Sequence, residues 1–234
     1  MELTPRLKCV YEMLQSGATV IDVGCDHGYL SVKLLEDGKY QSAFLADVNP
    51  GPLDAAKKNT AAAGLSGRCV FALSDGFKNI KVPEGDYSAA VCGMGGDLIA
   101  RIVTKSEVSK GASLLVLQPM TKEDHLRAAL WESGFEIALE RAAVEGEKIY
   151  VAFLCRYTGE VREHGKTDNV TGERERREAS PEMLMYLKKL TANRKEIVAA
   201  LRGAGRDASK AEKEYKALLR EAEYTASVLN DLEK

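Results

Sequence analysis

The sequence predicts an α/β protein that ends in an antiparallel helical, coiled-coil hairpin, and three observations carry that prediction. Short apolar runs alternate with helical patterns through the first 158 residues, two extended runs then follow each other across Glu145-Gly146-Glu147 with no room for a helix, and residues 181–234 carry heptad seams. With 234 residues, 45% hydrophobic and 29% charged, 20 Gly and 6 Pro, the chain can hold one main domain plus an appendage, and its composition excludes fibrous and wholly disordered chains.

Thr4-Pro5 reads as an N-cap with proline in the first turn, opening a helix that sets Leu7, Val10, Tyr11 and Leu14 on one side and stops at Gly17. The predicted series continues with strand 19–23, helix 29–36, strand 42–46, helix 51–63, strand 68–73, strand 87–92, helix 97–109, strand 113–118 and helix 122–133. Strands separated by helices imply βαβ crossovers and a parallel sheet. Residues 135–144 and 148–157 break the alternation and predict an antiparallel hairpin. A five-strand parallel series closing on a hairpin is the sheet plan of class I, Rossmann-like methyltransferase domains, whereas a nicotinamide-binding fold would continue with another crossover.

The main domain is therefore expected over 1–158. Residues 159–180, polar and carrying Gly159, Gly165 and Gly172, read as a mobile linker, and 181–234 as the helical hairpin. Met183, Leu187, Leu190, Arg194, Ile197 and Leu201 define one seam; Ala211, Tyr215, Leu218, Ala222, Thr225, Leu229 and Leu232 define the other. Ser180-Pro181 opens the first helix, and Asp207 or Ser209 caps the second.

The formal charge of -2 argues against a chain that is basic throughout, but the sum conceals a division. Residues 1–158 hold 17 basic and 20 acidic side chains, residues 159–234 hold 16 and 15, and the stretch 186–220 holds 10 and 4. The upper hairpin is thus a basic surface, with Lys188, Lys189, Arg202 and Arg206 as candidate contacts for phosphate; a solvated coiled-coil face is the alternative. Cysteines 9, 25, 69, 92 and 155 are odd in number and never paired as C-x-x-C, so neither a zinc site nor a disulfide framework is expected, and a reducing cytoplasm is. The first residues lack an apolar core, and no run is long enough to span a membrane.

The chemistry concentrates where strands end. Val20-Ile21-Asp22-Val23-Gly24-Cys25-Asp26-His27-Gly28-Tyr29-Leu30 runs from an apolar strand through a glycine turn into a helix. A dinucleotide site would show G-x-G-x-x-G, but here the pattern is G-x-x-x-G with Asp26 inside it. A carboxylate there repels pyrophosphate and attracts a cation such as the ammonium or sulfonium of S-adenosylmethionine. Asp47-Val48, 23 residues after Gly24, stands where an acid accepts from ribose hydroxyls, and Asp75-Gly76 after the third strand suits an adenine amino group. Cys92-Gly93-Met94-Gly95-Gly96-Asp97 replaces the Asn/Asp-Pro-Pro-aromatic clamp of many amino-methylating enzymes and leaves main-chain groups open to a flat base; Asp97 could equally cap a helix. Gln118-Pro119 adds an amide near the same crevice, and Cys92 is either a pocket thiol or a packing residue.

Taken together, Asp22 to Leu30, Ala46 to Pro50, Ser74 to Phe77, Cys92 to Gly96 and Leu117 to Pro119 closely resemble the bacterial TrmK family over essentially the whole chain. The resemblance implies S-adenosylmethionine-dependent methylation of N1 of adenine 22 in the D arm of tRNA, with tRNA as partner and no obligate protein partner or membrane. It places Asp22, Gly24, Cys25 and Gly28 against the cofactor, along with Asp47, Val48, Asp75, Gly76 and Cys92. Neutral adenine carries a lone pair and no proton at N1, so no obligatory general base is required. Positioning and charge stabilisation then fall to Asp26, His27, Tyr29 and the Gly93-Met94 backbone, with Gln118 and Pro119 on the substrate side. Two other readings stay open, another S-adenosylmethionine-dependent RNA methyltransferase and a non-catalytic RNA-binding protein on a methyltransferase fold, while the acid inside the glycine turn and the closing hairpin disfavour a nicotinamide-dependent oxidoreductase.

Overall fold

The structure is a computed structural model that describes residues 2–81, 84–165 and 167–232. Residues 1, 82 and 83 of the expected main domain, Lys166 of the expected linker and residues 233 and 234 of the expected hairpin lie outside the described residues. In chain order the elements are α1 (Pro5–Met13), β1 (Gly17–Val23), α2 (Tyr29–Glu36), β2 (Tyr40–Asp47), α3 (Pro50–Ala62), β3 (Cys69–Leu73), β4 (Tyr87–Met94), α4 (Gly96–Thr104), α5 (Glu107–Gly111), β5 (Leu114–Pro119), α6 (Glu123–Glu132), β6 (Phe135–Glu145), β7 (Lys148–Tyr157), α7 (Asp168–Thr171), α8 (Pro181–Gly203) and α9 (Ser209–Leu232). The strands form a seven-stranded sheet in the order β3-β2-β1-β4-β5-β7-β6. β1 to β5 pair in parallel, and β7 joins both β5 and β6 antiparallel.

A parallel sheet must be covered on both faces, and the alternation of side chains along each strand sorts the apolar residues into two cores. Ile21, Val23, Ala89, Val91, Leu115 and Leu117 face α4, α6, α8 and α9. Their chain neighbours Val20, Ala90, Cys92 and Val116 face α1, α2 and α3. The strand order reverses direction between β1 and β4, and such a switch point opens a crevice beyond the carboxyl ends of the strands.

Several boundaries differ from the sequence pattern for identifiable reasons. The first helix stops at Met13, because Leu14 turns extended, and Gly17 opens β1 beside Tyr40. Thr4 makes no side-chain cap; the Arg6 N–H donates instead to the Glu145 carboxylate at the end of β6 (3.1 Å). The helix expected over 97–109 is two helices, split where extended Ser106 caps α5, and Gly95 rather than Asp97 precedes α4. In α8 the apolar seam shifts by one residue, burying Val198 and exposing Ile197, and Leu232 of the second seam is exposed. Ser180 caps α8 by accepting from Met183 N–H (3.1 Å), and Asp207 accepts from Ser209 N–H (2.9 Å) at the start of α9, as the sequence suggests.

The segment expected as a mobile linker is packed against the main domain. Its α7 buries Val170 and Thr171, Arg176 pairs with Glu136, and Arg174 and Arg177 both pair with Glu221 of α9. Beneath it lies a buried ion pair: Arg127, 1% exposed, donates to both oxygens of Glu140 (2.9 and 2.7 Å) and to the Asn169 carbonyl (3.0 Å). The hairpin is likewise not a separate body at its base. Met183, Tyr186, Leu187, Leu218 and Ala222 share a core with Trp131, Phe135 and Phe153, and only Val198, Ala208 and Ala211 form a cluster of their own near the tip. Among the described residues no helix is long and apolar enough to cross a membrane.

Removing one partner of a buried ion pair strands a charge in low dielectric. Arg127→Ala is therefore expected to lower unfolding free energy by about 3–5 kcal/mol in denaturant titrations, and Arg127→Met with Glu140→Leu to recover much of that loss.

Candidate active site

The crevice at the switch point is a cleft of about 540 Å³ at the carboxyl ends of β1, β2 and β4. Its floor is the turn after β1. Gly24 holds φ +74°, and a Cβ there would stand 2.3 Å from the Met94 methyl, so the absence of a side chain lets Met94 close over the turn. Its N–H donates to the Ala46 carbonyl (2.8 Å), which fixes the turn against β2. Asp26 follows in the left-handed region (φ 50°), a conformation that aspartate tolerates better than most residues. That bend turns its carboxylate outward, 72% exposed, while its N–H points to the Asp47 carboxylate at 3.4 Å.

The acids cluster with different environments. Asp22 is buried and accepts from the Ser31 hydroxyl at 2.7 Å. Burial pushes its carboxyl up to about 6, the Ser31 bond opposes that rise, and the neighbouring Asp47 and Asp26 add to it. Asp47 accepts from Asn49 N–H at 2.9 Å and keeps lone pairs free toward the cleft. Val48 beside it is exposed, offering an apolar cover. Asp75 pairs with Lys78 at 2.5 Å, which holds its carboxyl below the ordinary range. At the mouth, His27 and Tyr29 stack with ring centroids 5.4 Å apart and planes 16° from parallel, and His27 Nε2 lies 3.5 Å from the Asp26 carboxylate. Tyr29 is 40% exposed, so the stack offers a free aromatic face.

Most of the residues singled out in the sequence line this cleft: Asp22, Gly24, Cys25, Asp26, His27, Tyr29, Asp47, Val48, Asp75, Gly76, Cys92, Gly93 and Met94. Three do not. Gly28 packs on the other side of its turn, where a Cβ would meet Leu45 and Ala56 at about 3 Å, so it serves helix packing rather than a ligand. Gln118 is 1% exposed and turned inward, accepting from Arg6 Nη1 (2.8 Å) and Gly93 N–H (3.2 Å), and Pro119 closes β5 behind it. Lys188, Lys189, Arg202 and Arg206 are exposed on the hairpin, away from the cleft residues, and Arg202 pairs with Glu212 at 2.5 Å. Cys25 and Cys92 face the cleft as buried thiols whose ionisation burial pushes far up, which makes them packing groups rather than nucleophiles.

The sequence reading missed Arg6, Leu98, Arg101 and Ile102, which also line the wall. Leu98, Arg101 and Ile102 recur at helical spacing just after Gly95-Gly96, a signal the pattern contained. Gly96 itself brings that helix close: a Cβ there would lie 2.3 Å from the Lys122 carbonyl. Arg6 gave no such signal, because only the docking of α1 on β5 and β6 carries it to the cleft.

The model of the family described as "Methyltransferase domain" matches residues 3–153. The chain belongs to that family. The chain is 31% identical over 156 residues to the tRNA (adenine(22)-N(1))-methyltransferase of Bacillus subtilis (strain 168), a match covering 66% of this chain and 65% of that relative. The chain thus spans just under two thirds of the curated relative it matches. Among solved structures it is similar to Streptococcus pneumoniae Sp1610 in complex with S-adenosyl-L-methionine (27% identity, TM-score 0.81, 94% of this chain and all of the other). It shares the fold of M. capricolum TrmK in complex with S-adenosyl-homocysteine (20% identity, TM-score 0.80, 95% and 99% covered). Methyltransferase domains thus account for the switch-point cleft, and the last two coverages extend the shared fold through the helical hairpin.

Asp22 makes the stability of this methyltransferase domain depend on pH. An unfolded aspartate titrates near ~3.9 and the folded one at about 6, so between these values the folded chain holds more protons and its stability falls as pH rises. Asp22→Asn, which keeps a partner for Ser31, is expected to flatten that fall. Above pH ~6 it should raise unfolding free energy by about 3 kcal/mol, as read from denaturant melts at acid and neutral pH.

Proposed function

We propose that this chain is a TrmK-type enzyme that transfers a methyl group from S-adenosylmethionine to N1 of adenine 22 in the D arm of tRNA. The observation that supports it best is an acid-lined, nucleoside-sized cleft whose mouth carries a free aromatic stack beside an exposed carboxylate. The Bacillus subtilis relative bears that activity in its name, and Sp1610 holds that cofactor.

The residues present fit the cofactor. Asp47 presents two carboxylate oxygens for vicinal ribose hydroxyls, Val48 and Ile102 supply apolar walls, and Asp22 and Asp26 suit a cationic methionyl end. When bound, the cofactor supplies a methyl group on a positively charged sulfur. The chain's own work is to bring adenine N1 into line with it. An adenine within a tRNA arm must leave its stack to enter the cleft, and His27 and Tyr29 offer replacement stacking at its mouth. As the base becomes cationic, the Asp26 carboxylate stabilises the charge on the purine, and the Gly93-Met94 backbone meets its edge. No group needs to abstract a proton before transfer. Phosphate contacts supply affinity at the hairpin. Of its bases, Arg194, Arg202 and Lys210 are paired with Glu214 or Glu212, while Lys213, Lys216 and Arg220 lie exposed at i, i+3 and i+7 on the outer face of α9.

Incubation with labelled S-adenosylmethionine and tRNA lacking the modification, followed by nucleoside analysis, is expected to give 1-methyladenosine at position 22. Label at another nucleoside, or none, refutes the assignment. Reversing Lys188, Lys189, Arg202 and Arg206 to Glu is expected to weaken tRNA binding and to flatten its salt dependence by about one unit of log-log slope per lost phosphate contact, with methyl-donor affinity unchanged.

A further inference from the structure

We infer that the hairpin carries a pocket for one unstacked nucleobase of the RNA, so that it holds an unpaired nucleotide by its ring as well as by its phosphate. The inference rests on the tRNA reading above and adds to it a site separate from the methyl-transfer cleft. A hollow of about 320 Å³ lies between α8 and α9 toward the tip. Lys195, Ala199 and Arg202 line it from α8 at i, i+4 and i+7, and Tyr215 and Lys216 line it from α9. Its floor is apolar: Val198 is buried and packs with Ala208, Ala211 and the half-buried Tyr215 in the small cluster at this end of the hairpin. Its rim is basic. Lys195 and Lys216, one from each helix, are exposed and form no ion pair among the described residues. Glu212, the one acid among the described lining residues, is taken up by Arg202, accepting from Nε at 3.0 Å and from Nη2 at 2.5 Å. Those bonds hold the guanidinium at the rim, while its Nη1 makes no hydrogen bond among the described residues.

The combination identifies the class of group it would take. A phosphate alone would match the two lysines but leave Val198, Ala199 and the Tyr215 ring in water. A partner helix needs a continuous apolar groove, and this hollow is short and closed by charge at its rim. A flat ring with a phosphate attached answers both parts, since an aromatic side chain set among free cations is how proteins hold unpaired nucleic acid without reading its sequence. The base must be unpaired, because a base inside a duplex is already stacked on its neighbours. Phosphate contacts along the hairpin therefore supply affinity for any RNA, and the pocket adds a preference for one that presents a free base.

Titration of the full chain with unmodified tRNA over a range of salt tests the pocket, with a fully paired RNA duplex as the second probe. Tyr215→Leu keeps an apolar side chain on the floor but removes the flat face, and Ala199→Leu fills the hollow from the opposite helix while leaving Tyr215 in place. Each is expected to weaken tRNA binding by about 5- to 100-fold with its salt slope unchanged, and to leave the duplex within about twofold. Tyr215→Phe is expected to bind tRNA as the wild type does. Lys195→Gln with Lys216→Gln is expected instead to lower the log-log salt slope by about 0.7 for each lost contact. Undiminished tRNA affinity in either leucine variant, or equal losses on tRNA and duplex, overturns the pocket and leaves the methyltransferase reading standing. A wild-type protein that neither binds nor methylates tRNA overturns that reading and this inference with it.

Discussion

The buried pair between Arg127 and Glu140 decides how the two halves of the chain meet. Each group is 1% exposed, and two charges taken out of water are tolerated only where the geometry returns what solvation gave up. Here the guanidinium meets both carboxylate oxygens and adds the carbonyls of Asn169 and Val170, so one side chain of α6 ties together β6 and the α7 segment. Tyr186 of α8 is buried in the core beside them, and burial pushes its ionisation up while the Arg127 charge opposes that rise. Gly172 leaves room for the arrangement, since a Cβ there would stand 2.6 Å from a Glu140 oxygen. An apolar pair of similar volume would supply comparable cohesion but no directed bonds, and those bonds say where the polar segment and the hairpin dock.

The opposite logic governs the cleft. Where Arg127 and Glu140 neutralise each other, the acids at the ends of β1, β2 and β3 face one another, and the deepest, Asp22, has a neutral hydroxyl and no cation as its partner, the consequence showing in its raised pKa. Folding keeps them together because each sits at the carboxyl end of a strand whose register the apolar core fixes. The apo cleft therefore carries an electrostatic penalty that a cationic ligand relieves, which places part of the ligand's binding energy in the fold before it arrives. The positive φ at Asp26 belongs to the same economy: a strained backbone holds a carboxylate where a cation or a developing positive charge will need it.

Much of this was legible in the sequence because strands buried on both faces read as short apolar runs, and the acids that end them stand in plain order. The cleft acids, the Gly24 turn and the closing hairpin follow from such local signals. What escaped was tertiary. Residues 159–180 look solvated by composition, yet Arg174, Arg176 and Arg177 find carboxylates 40 or more residues away, and composition cannot separate a polar side chain in water from one satisfied by a distant partner. Gln118 reads as an open amide at a strand end but turns inward, and Arg6 reads as one charge on an amphipathic helix until α1 docks. Val198 and Ile197 are adjacent and both apolar, so the seam could not choose between them until Tyr186 and Leu187 set the rotation of α8 at its base.

The opposed charges of cleft and hairpin need the distance between them. Phosphates drawn toward the upper hairpin would be repelled by four carboxylates if the two surfaces adjoined. The 23 residues of α8 make a rod of about 35 Å whose base is buried in the domain core. That is several times the screening length of about 8 Å at physiological salt, so charges at the tip act almost independently of those at the base of the rod. A rigidly seated rod also fixes where its basic side chains stand relative to the domain, which a flexible tether would not. The packing of Met183, Tyr186, Leu187 and Leu218 into the main core thus seats a basic hairpin on the domain that carries the acidic cleft, and the small net charge of -2 is the sum of regions of opposite sign.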